Sequence, residues 1–226
     1  MAERRQREKN QRRDDIINAA ERLFFSRGYE NVSMEEIASE VELSKAALYF
    51  YFKDKESLFF AVVNRGMKLL RAIIMEEVKN TQDDDIKFCV FNKAFCRFAL
   101  EYPNYSKAYA YFRSGKFDIS NNKDISIDAK EIDEFTKEIF EMTVSEIKIS
   151  IEDRTFRSDI NPVVLAVLVA SIGNGISYMS PSQREILKTH GITMQQFHLE
   201  ATNLLNRMFI NTEDRDDNTC TLGGRA

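Results

Sequence analysis

The run Ser33–Lys55, SMEEIASEVELSKAALYFYFKDK, constrains what this chain can fold into more tightly than any other stretch. It opens on a capping box: the Ser33 hydroxyl is placed to accept from the backbone N–H of Glu36, and the Glu36 carboxylate to accept from the N–H of Ser33. Val32 before the cap and Ile37 after it are spaced as a hydrophobic staple, so a helix is expected from Met34. Met34, Ile37, Ala38 and Val41 recur at i, i+3, i+4, i+7 and make its apolar face. Glu42 and Leu43 form a turn. Ser44 caps a second short helix whose Leu48 and Phe52, four apart, point back to the core. Left outside are Lys45, Ala46, Ala47, Tyr49 and Phe50, with Tyr51 at their edge and Lys53 and Lys55 at the helix exit. Two short helices about a tight turn, the second small, basic and aromatic, have the pattern of a helix-turn-helix.

That pattern carries a chemistry. Ala46 and Ala47 are small enough for close approach to base edges, while Lys45 and the tyrosine hydroxyls can donate to phosphates or bases. The spacing alone also suits a small helical subdomain with a surface tyrosine. Exposed aromatics flanked by lysines favour a partner, and DNA is the partner they fit.

Spaced elements around this run agree in order and distance: Ile16-Ile17-Asn18-Ala19-Ala20-Glu21-Arg22-Leu23-Phe24, Gly28-Tyr29, Val32-Ser33, Ile37-Ala38, Leu43-Ser44-Lys45, Leu48-Tyr49-Phe50-Tyr51-Phe52 and Lys55-Glu56-Ser57-Leu58-Phe59. Over roughly residues 12 to 60 the chain resembles the N-terminal domain of the TetR family of transcriptional regulators. The resemblance implies an all-α homodimer: a three-helix DNA-binding domain, and a larger, divergent helical domain that dimerises and takes a small inducer. It assigns phosphate contacts to Ser33, Tyr49, Tyr51 and Lys55, and base-proximal positions to Ser44, Lys45, Ala46 and Ala47, with Phe50 on the same surface. Two positions depart from the family pattern. Tyr51 stands where the family commonly has His, and Ala46 where Gly or another small residue is frequent, so readout at Ala46 is by shape or methyl contact.

Local punctuation divides the 226 residues into a basic arm (1–13), a DNA-binding domain (14–60), a ligand-binding and dimerisation domain (61–212) and a disordered tail (213–226). The net charge of −4 argues against nucleic acid until its distribution is considered. Arg4, Arg5, Arg7, Lys9, Arg12 and Arg13 crowd the arm against Glu3 and Glu8 alone. The arm reads equally as a DNA-tracking segment and as a solvated, disordered start. Cys89, Cys96 and Cys220 are an odd set without a paired framework, which fits a reducing, cytoplasmic setting. A charged start without an apolar segment gives no signal peptide. Val163 to Ile172, the longest apolar run, falls short of the roughly 20 residues a bilayer needs, so no membrane partner is expected.

Between nine and ten helices are expected. The first runs from about Asp14 to Arg27 with Gly28 as its stop, and a long fourth from Lys55 to about Asn80 leaves the DNA-binding domain as the mechanical link to the next. Pro103 ends the fifth, Asn161-Pro162 opens the eighth, Ser180-Pro181 opens a short ninth closed by Gly191, and Thr193 with Gln196 opens the last. Phe88, Phe91, Phe95 and Phe98 share a helix face, with Tyr102, Tyr105, Tyr109 and Phe112 close behind. Such a stripe serves as plain core or as an apolar pocket with polar anchors for a hydrophobic or aromatic inducer. Arg97, Arg113 or Lys107 could pair an acidic ligand, though each also suits a solvated surface. Val164, Leu168, Ile172 and Gly175 on the eighth helix, with Phe197, Ala201, Leu204, Leu205 and Met208 on the last, suit either intrachain packing or a four-helix seam between subunits; the resemblance favours the seam.

The expected function is therefore a DNA-binding transcriptional regulator: a homodimeric repressor on a palindromic double-stranded operator, released by a small inducer. Two rivals remain. A protein-interaction adaptor with the same motif would lack salt-dependent DNA binding. An enzyme has little support: His190 and His198 are separated by Gly191, no HExxH, GxSxG or phosphate-cradling glycine loop occurs, and no catalytic residue, metal or cofactor is expected.

Overall fold

The computed structural model describes residues 1–80, 87–119, 126–177 and 179–211; the side chains of Phe88 and Cys89, and the whole tail with Cys220, lie outside the described part. Ten α-helices occupy the described residues: α1 Ala2–Arg27, α2 Met34–Glu40, α3 Lys45–Tyr51, α4 Lys55–Asn80, α5 Lys87–Glu101, α6 Pro103–Phe112, α7 Ile127–Glu152, α8 Pro162–Ser177, α9 Pro181–Thr189 and α10 Met194–Phe209. An isolated bridge between Phe156 and Ile210 is the one strand-like pairing among them. The fold is all-α. No single helix among the described residues is long and apolar enough to cross a bilayer.

The start of the chain corrects one expectation. Residues 2–13 are neither a separate arm nor a disordered start but the first turns of α1. Nothing in this stretch breaks a helix before Gly28, which takes a φ of 79° at the C-terminus of α1. Side-chain pairs four residues apart support the extension: Arg4 with Glu8, Arg7 with Glu3, and Gln11 donating to Asp15.

Contacts gather the chain into two compact units, Met1–Met67 with Tyr111–Glu134, and Lys68–Ala110 with Phe135 onward. Helices α4, α6 and α7 each contribute residues to both. In unit 1, Ile16, Ala20 and Phe24 of α1, Ile37 of α2, Leu48 of α3, and Leu58, Phe59 and Val62 of α4 are all buried. Each large side chain contributes about 1.5–3 kcal/mol on leaving water. Aromatic rings close the other side of this core. Tyr29 lies 4.9 Å from Phe59 between centroids, Phe59 stacks on Phe117 at 5.7 Å, and Phe112 meets Phe60 edge-on at 5.3 Å. Residues 111–134 thus complete the unit that holds the helix-turn-helix, a grouping that local signals at 14–60 do not contain.

Unit 2 centres on Ile147, Phe156, Leu165, Ala166 and Phe209, with Phe140, Val144 and Leu205 packed against them. Asn161 accepts from the backbone N–H groups of Val163 and Val164 to cap α8, and capping boxes at Ser180 and Thr193 open α9 and α10. Arg97 is not a free ligand anchor: it pairs with Glu76, Glu77 and Glu101.

Candidate nucleic-acid interface

The capping box at Ser33 forms as the sequence predicts, with Glu36 accepting from the Ser33 N–H at 2.8 Å and the Ser33 oxygen accepting from Glu36 N at 3.2 Å. Backbone N–H donation, Arg27 and the Ser33 hydroxyl hold the Glu36 carboxyl down at about 2. The turn passes through Glu42 at a φ of 54°, in the left-handed region that glycine favours. Leu43 N–H then bonds the Ala38 carbonyl at 2.8 Å, and Ser44 caps α3 by accepting from Ala47 N at 3.2 Å.

This seats α3 on Leu48 and Phe52, both buried, so the opposite side faces outward. Lys45, Ala46, Tyr49 and Phe50 are exposed, Phe50 to 71%; Ala47 and Tyr51 are half-buried. The Phe50 ring stands edge-on to Tyr51 at 5.4 Å, and Lys9 of α1 lies over it at 5.2 Å. Exposing a phenylalanine to this degree leaves apolar area that folding of the unit does not cover. Lys45 pairs with Glu35 of α2, which draws the carboxyl of Glu35 below and the ammonium of Lys45 above their ordinary values. Ser33 and Ser44 present hydroxyls already engaged as caps; the Ser33 hydroxyl also donates to Glu36 at 2.8 Å, so a phosphate must displace that bond, whereas Ser44 can donate its proton to a phosphate.

Lys55 has a role its spacing did not disclose. Its ammonium donates to the carbonyls of Tyr29 and Val32, both at 3.0 Å, and lies 4.2 Å above the Tyr29 ring. Two of its three protons hold the α1–α2 loop, which leaves one for a phosphate. Beside it, Tyr111 and Lys116 both donate to the Glu30 carboxylate. Tyr111 first, then Lys116, lowers the Glu30 carboxyl, and the Lys116 ammonium is pushed up to about 12. Burial raises the Tyr29 phenol. Tyr111 and Lys116 are a support for the α1–α2 loop that reading residues 14–60 could not find, because they arrive from a distant part of the chain.

The other expected sites fall in unit 2, with one exception. Phe91 and Phe98 are buried there, and Phe95, Tyr102, Tyr105 and Tyr109 half-buried. Phe98 stacks on Tyr102 at 6.0 Å, and Tyr109 shares a hydrogen bond with Thr136 at 3.1 Å. Phe112 instead belongs to the aromatic core of unit 1. None of these described side chains lines the cleft in unit 2, where Pro103 and His198 are found. On α8 and α10, Val164 and Leu204 are each 64% exposed and Met208 62%, with Leu168 and Gly175 also exposed. Ile172, Phe197, Ala201 and Leu205 are half-buried. A Cβ at Gly175 would meet nothing within 4 Å among the described residues.

Residues 16–62 match the family described as "Bacterial regulatory proteins, tetR family". The HTH-type transcriptional activator FasR of Mycolicibacterium smegmatis is 31% identical over 90 residues, 40% of this chain and 41% of that protein. The chain spans less than half the length of the curated relatives it matches. Among solved structures, the ketosteroid transcriptional regulator KstR2 of Mycobacterium tuberculosis aligns with a TM-score of 0.64 at 16% identity over 88% of this chain and 95% of that one. AibR, solved in complex with isovaleryl coenzyme A and operator DNA, aligns with a TM-score of 0.64 at 20% identity over 87% and 97%. These two likenesses are of fold.

Proposed function

We propose, from the match of residues 16–62 to the tetR family of bacterial regulatory proteins, that the chain is a sequence-specific DNA-binding regulator that acts as a homodimeric repressor and lets go of its operator when a small inducer binds unit 2. The observation that carries the reading is the outward side of α3. Leu48 and Phe52 anchor the helix, while Lys45, Ala46, Tyr49 and Phe50 are left for a partner. A groove about 12 Å wide admits such a helix, with alanines close to base edges and Lys45, Tyr49 and Tyr51 at phosphates. Lys9, over the Phe50 ring, and Arg13, over the Phe52 ring, add positive charge beside α3.

A palindromic operator follows from two-fold symmetry. Two copies of α3 reach successive major grooves when they stand about 34 Å apart. The exposed apolar side chains of α8 and α10, Val164, Leu168, Leu204 and Met208, supply the surface for a second copy. A ligand weakens DNA binding only through its different affinity for the two spacings, and α4, which contributes to both units, is the element through which we expect that preference to act. Repression then comes from occupancy of the operator.

A footprint on the DNA beside the protein's own gene tests the reading. The expected result is a palindromic protected site whose affinity falls steeply with salt. Binding that ignores salt, or no protected site on any genomic fragment, would leave the adaptor reading in its place.

A further inference from the structure

Unit 2 contains a cleft of about 200 Å³ that takes side chains from α5, α6, α8, α9 and α10. Leu100, Ile176 and Met194 give it an apolar wall, and Lys107, Arg184 and His198 give it its charge and polarity. His198 is 6% exposed, yet its ring makes no hydrogen bond among the described residues; the Phe197 ring stands 6.1 Å away, edge-on. Arg184 is held in place by donation from its Nε to the Met179 carbonyl at 3.2 Å, which leaves its terminal N–H groups uncommitted. The charged groups that line the cleft beside the imidazole's element are both cations, Arg184 from α9, whose charge acts on the imidazole, and Lys107 from α6. Burial and the Arg184 charge hold His198 below its ordinary range, so at neutral pH it offers one donor and one acceptor.

A buried imidazole without a partner, in a cleft with two cations and no lining carboxylate, is an arrangement that an anion completes. We propose that this cleft binds a small organic carboxylate with a short apolar body, its carboxylate on Arg184 and Lys107 with the His198 N–H donating, and its chain against Leu100, Ile176 and Met194. The volume lies below the roughly 300–1,000 Å³ of pockets for larger ligands, which suits a short body. The inference rests on the reading of unit 2 as the inducer-binding part and names the chemical class of that inducer.

Calorimetric titration of the full chain, without DNA, with pentanoate and with its neutral counterpart pentanamide is the test. Pentanoate is expected to bind, pentanamide at least about tenfold more weakly, and Arg184→Gln to cut the pentanoate affinity by about tenfold or more. The unliganded variant should keep the circular dichroism of the parent. A second readout is the His198 imidazole in NMR, whose titration pentanoate should move upward by offsetting the Arg184 charge. Equal binding of acid and amide, binding of neither, or an Arg184→Gln variant with parental affinity would overturn the proposal. Operator affinity of the unliganded protein is measured alongside. Intact DNA binding with no carboxylate binding removes this site alone, whereas carboxylate binding without DNA binding removes the proposed function and leaves the site standing.

Discussion

Two lysines on either side of α3 divide between reading and holding. Lys45 is exposed and shared with Glu35, so meeting a phosphate means exchanging one anion for another. Lys45→Ala should lower the salt slope of operator binding by about one unit, measured by fluorescence anisotropy, with little change in melting temperature. Glu35→Gln, which frees the same ammonium, should raise affinity. Lys55→Ala should act on the fold instead: losing donation to Tyr29 and Val32 should cost about 2 kcal/mol in urea unfolding. The family resemblance assigned Lys55 to a phosphate and Lys45 to a base-proximal position; the carbonyls that claim Lys55 come from residues 23 and 26 positions earlier, beyond any local pattern. Glu36 gives a pH signature. Its carboxyl falls from 4.5 to about 2 on folding, so its contribution is complete above pH 4.5 and is lost as pH drops toward 2. Glu36→Gln should flatten the melting temperature across that window relative to the parent.

At the scale of the helix, α10 mixes its faces. Phe209 is buried and Leu205 packs against the core of unit 2, yet His198, Thr202 and Asn206, buried at every fourth residue, are polar, while Leu204 and Met208 face outward. A helix folded only against its own chain would turn more of its apolar side chains inward. Asn206 is 4% exposed, and neither end of its amide has a hydrogen-bond partner among the described residues. Leaving such a group unpaired costs about 1–3 kcal/mol, so Asn206→Leu should raise stability by about 1 kcal/mol in denaturant titration. A loss of stability would mean that the amide has a partner in solution. The helix itself was legible from Thr193 and Gln196, whose capping box forms as read. Its cleft was not. Apolar stripes point to a core face, and the Phe88–Phe98 stripe drew attention to aromatic positions, whereas the cleft is lined by Lys107, Arg184 and His198 from three helices whose order in the chain says nothing of their nearness.

For the molecule as a whole, the outward side of α8 and α10 is where we propose that a second copy packs. Val164 and Leu204 are each 64% exposed and Met208 62%, so apolar side chains of both helices are left in water. Leu204→Glu should convert a dimer to a monomer in sedimentation velocity and weaken operator binding by about tenfold or more, since one copy of α3 reads one half-site. Parental sedimentation by the variant would move the interface elsewhere.

The chain by itself determined its helices, their caps and the helix-turn-helix, because each rests on residues within about one or two turns of each other: Ser33 with Glu36, Leu48 with Phe52, Asn161 before Pro162. Only the tertiary structure decided that Tyr111, Phe112 and Phe117 complete the unit bearing α3, and that His198 meets an arginine in a cleft. Those outcomes depend on which faces meet, and the contacts that settle it join residues tens of positions apart, where periodicity carries no information.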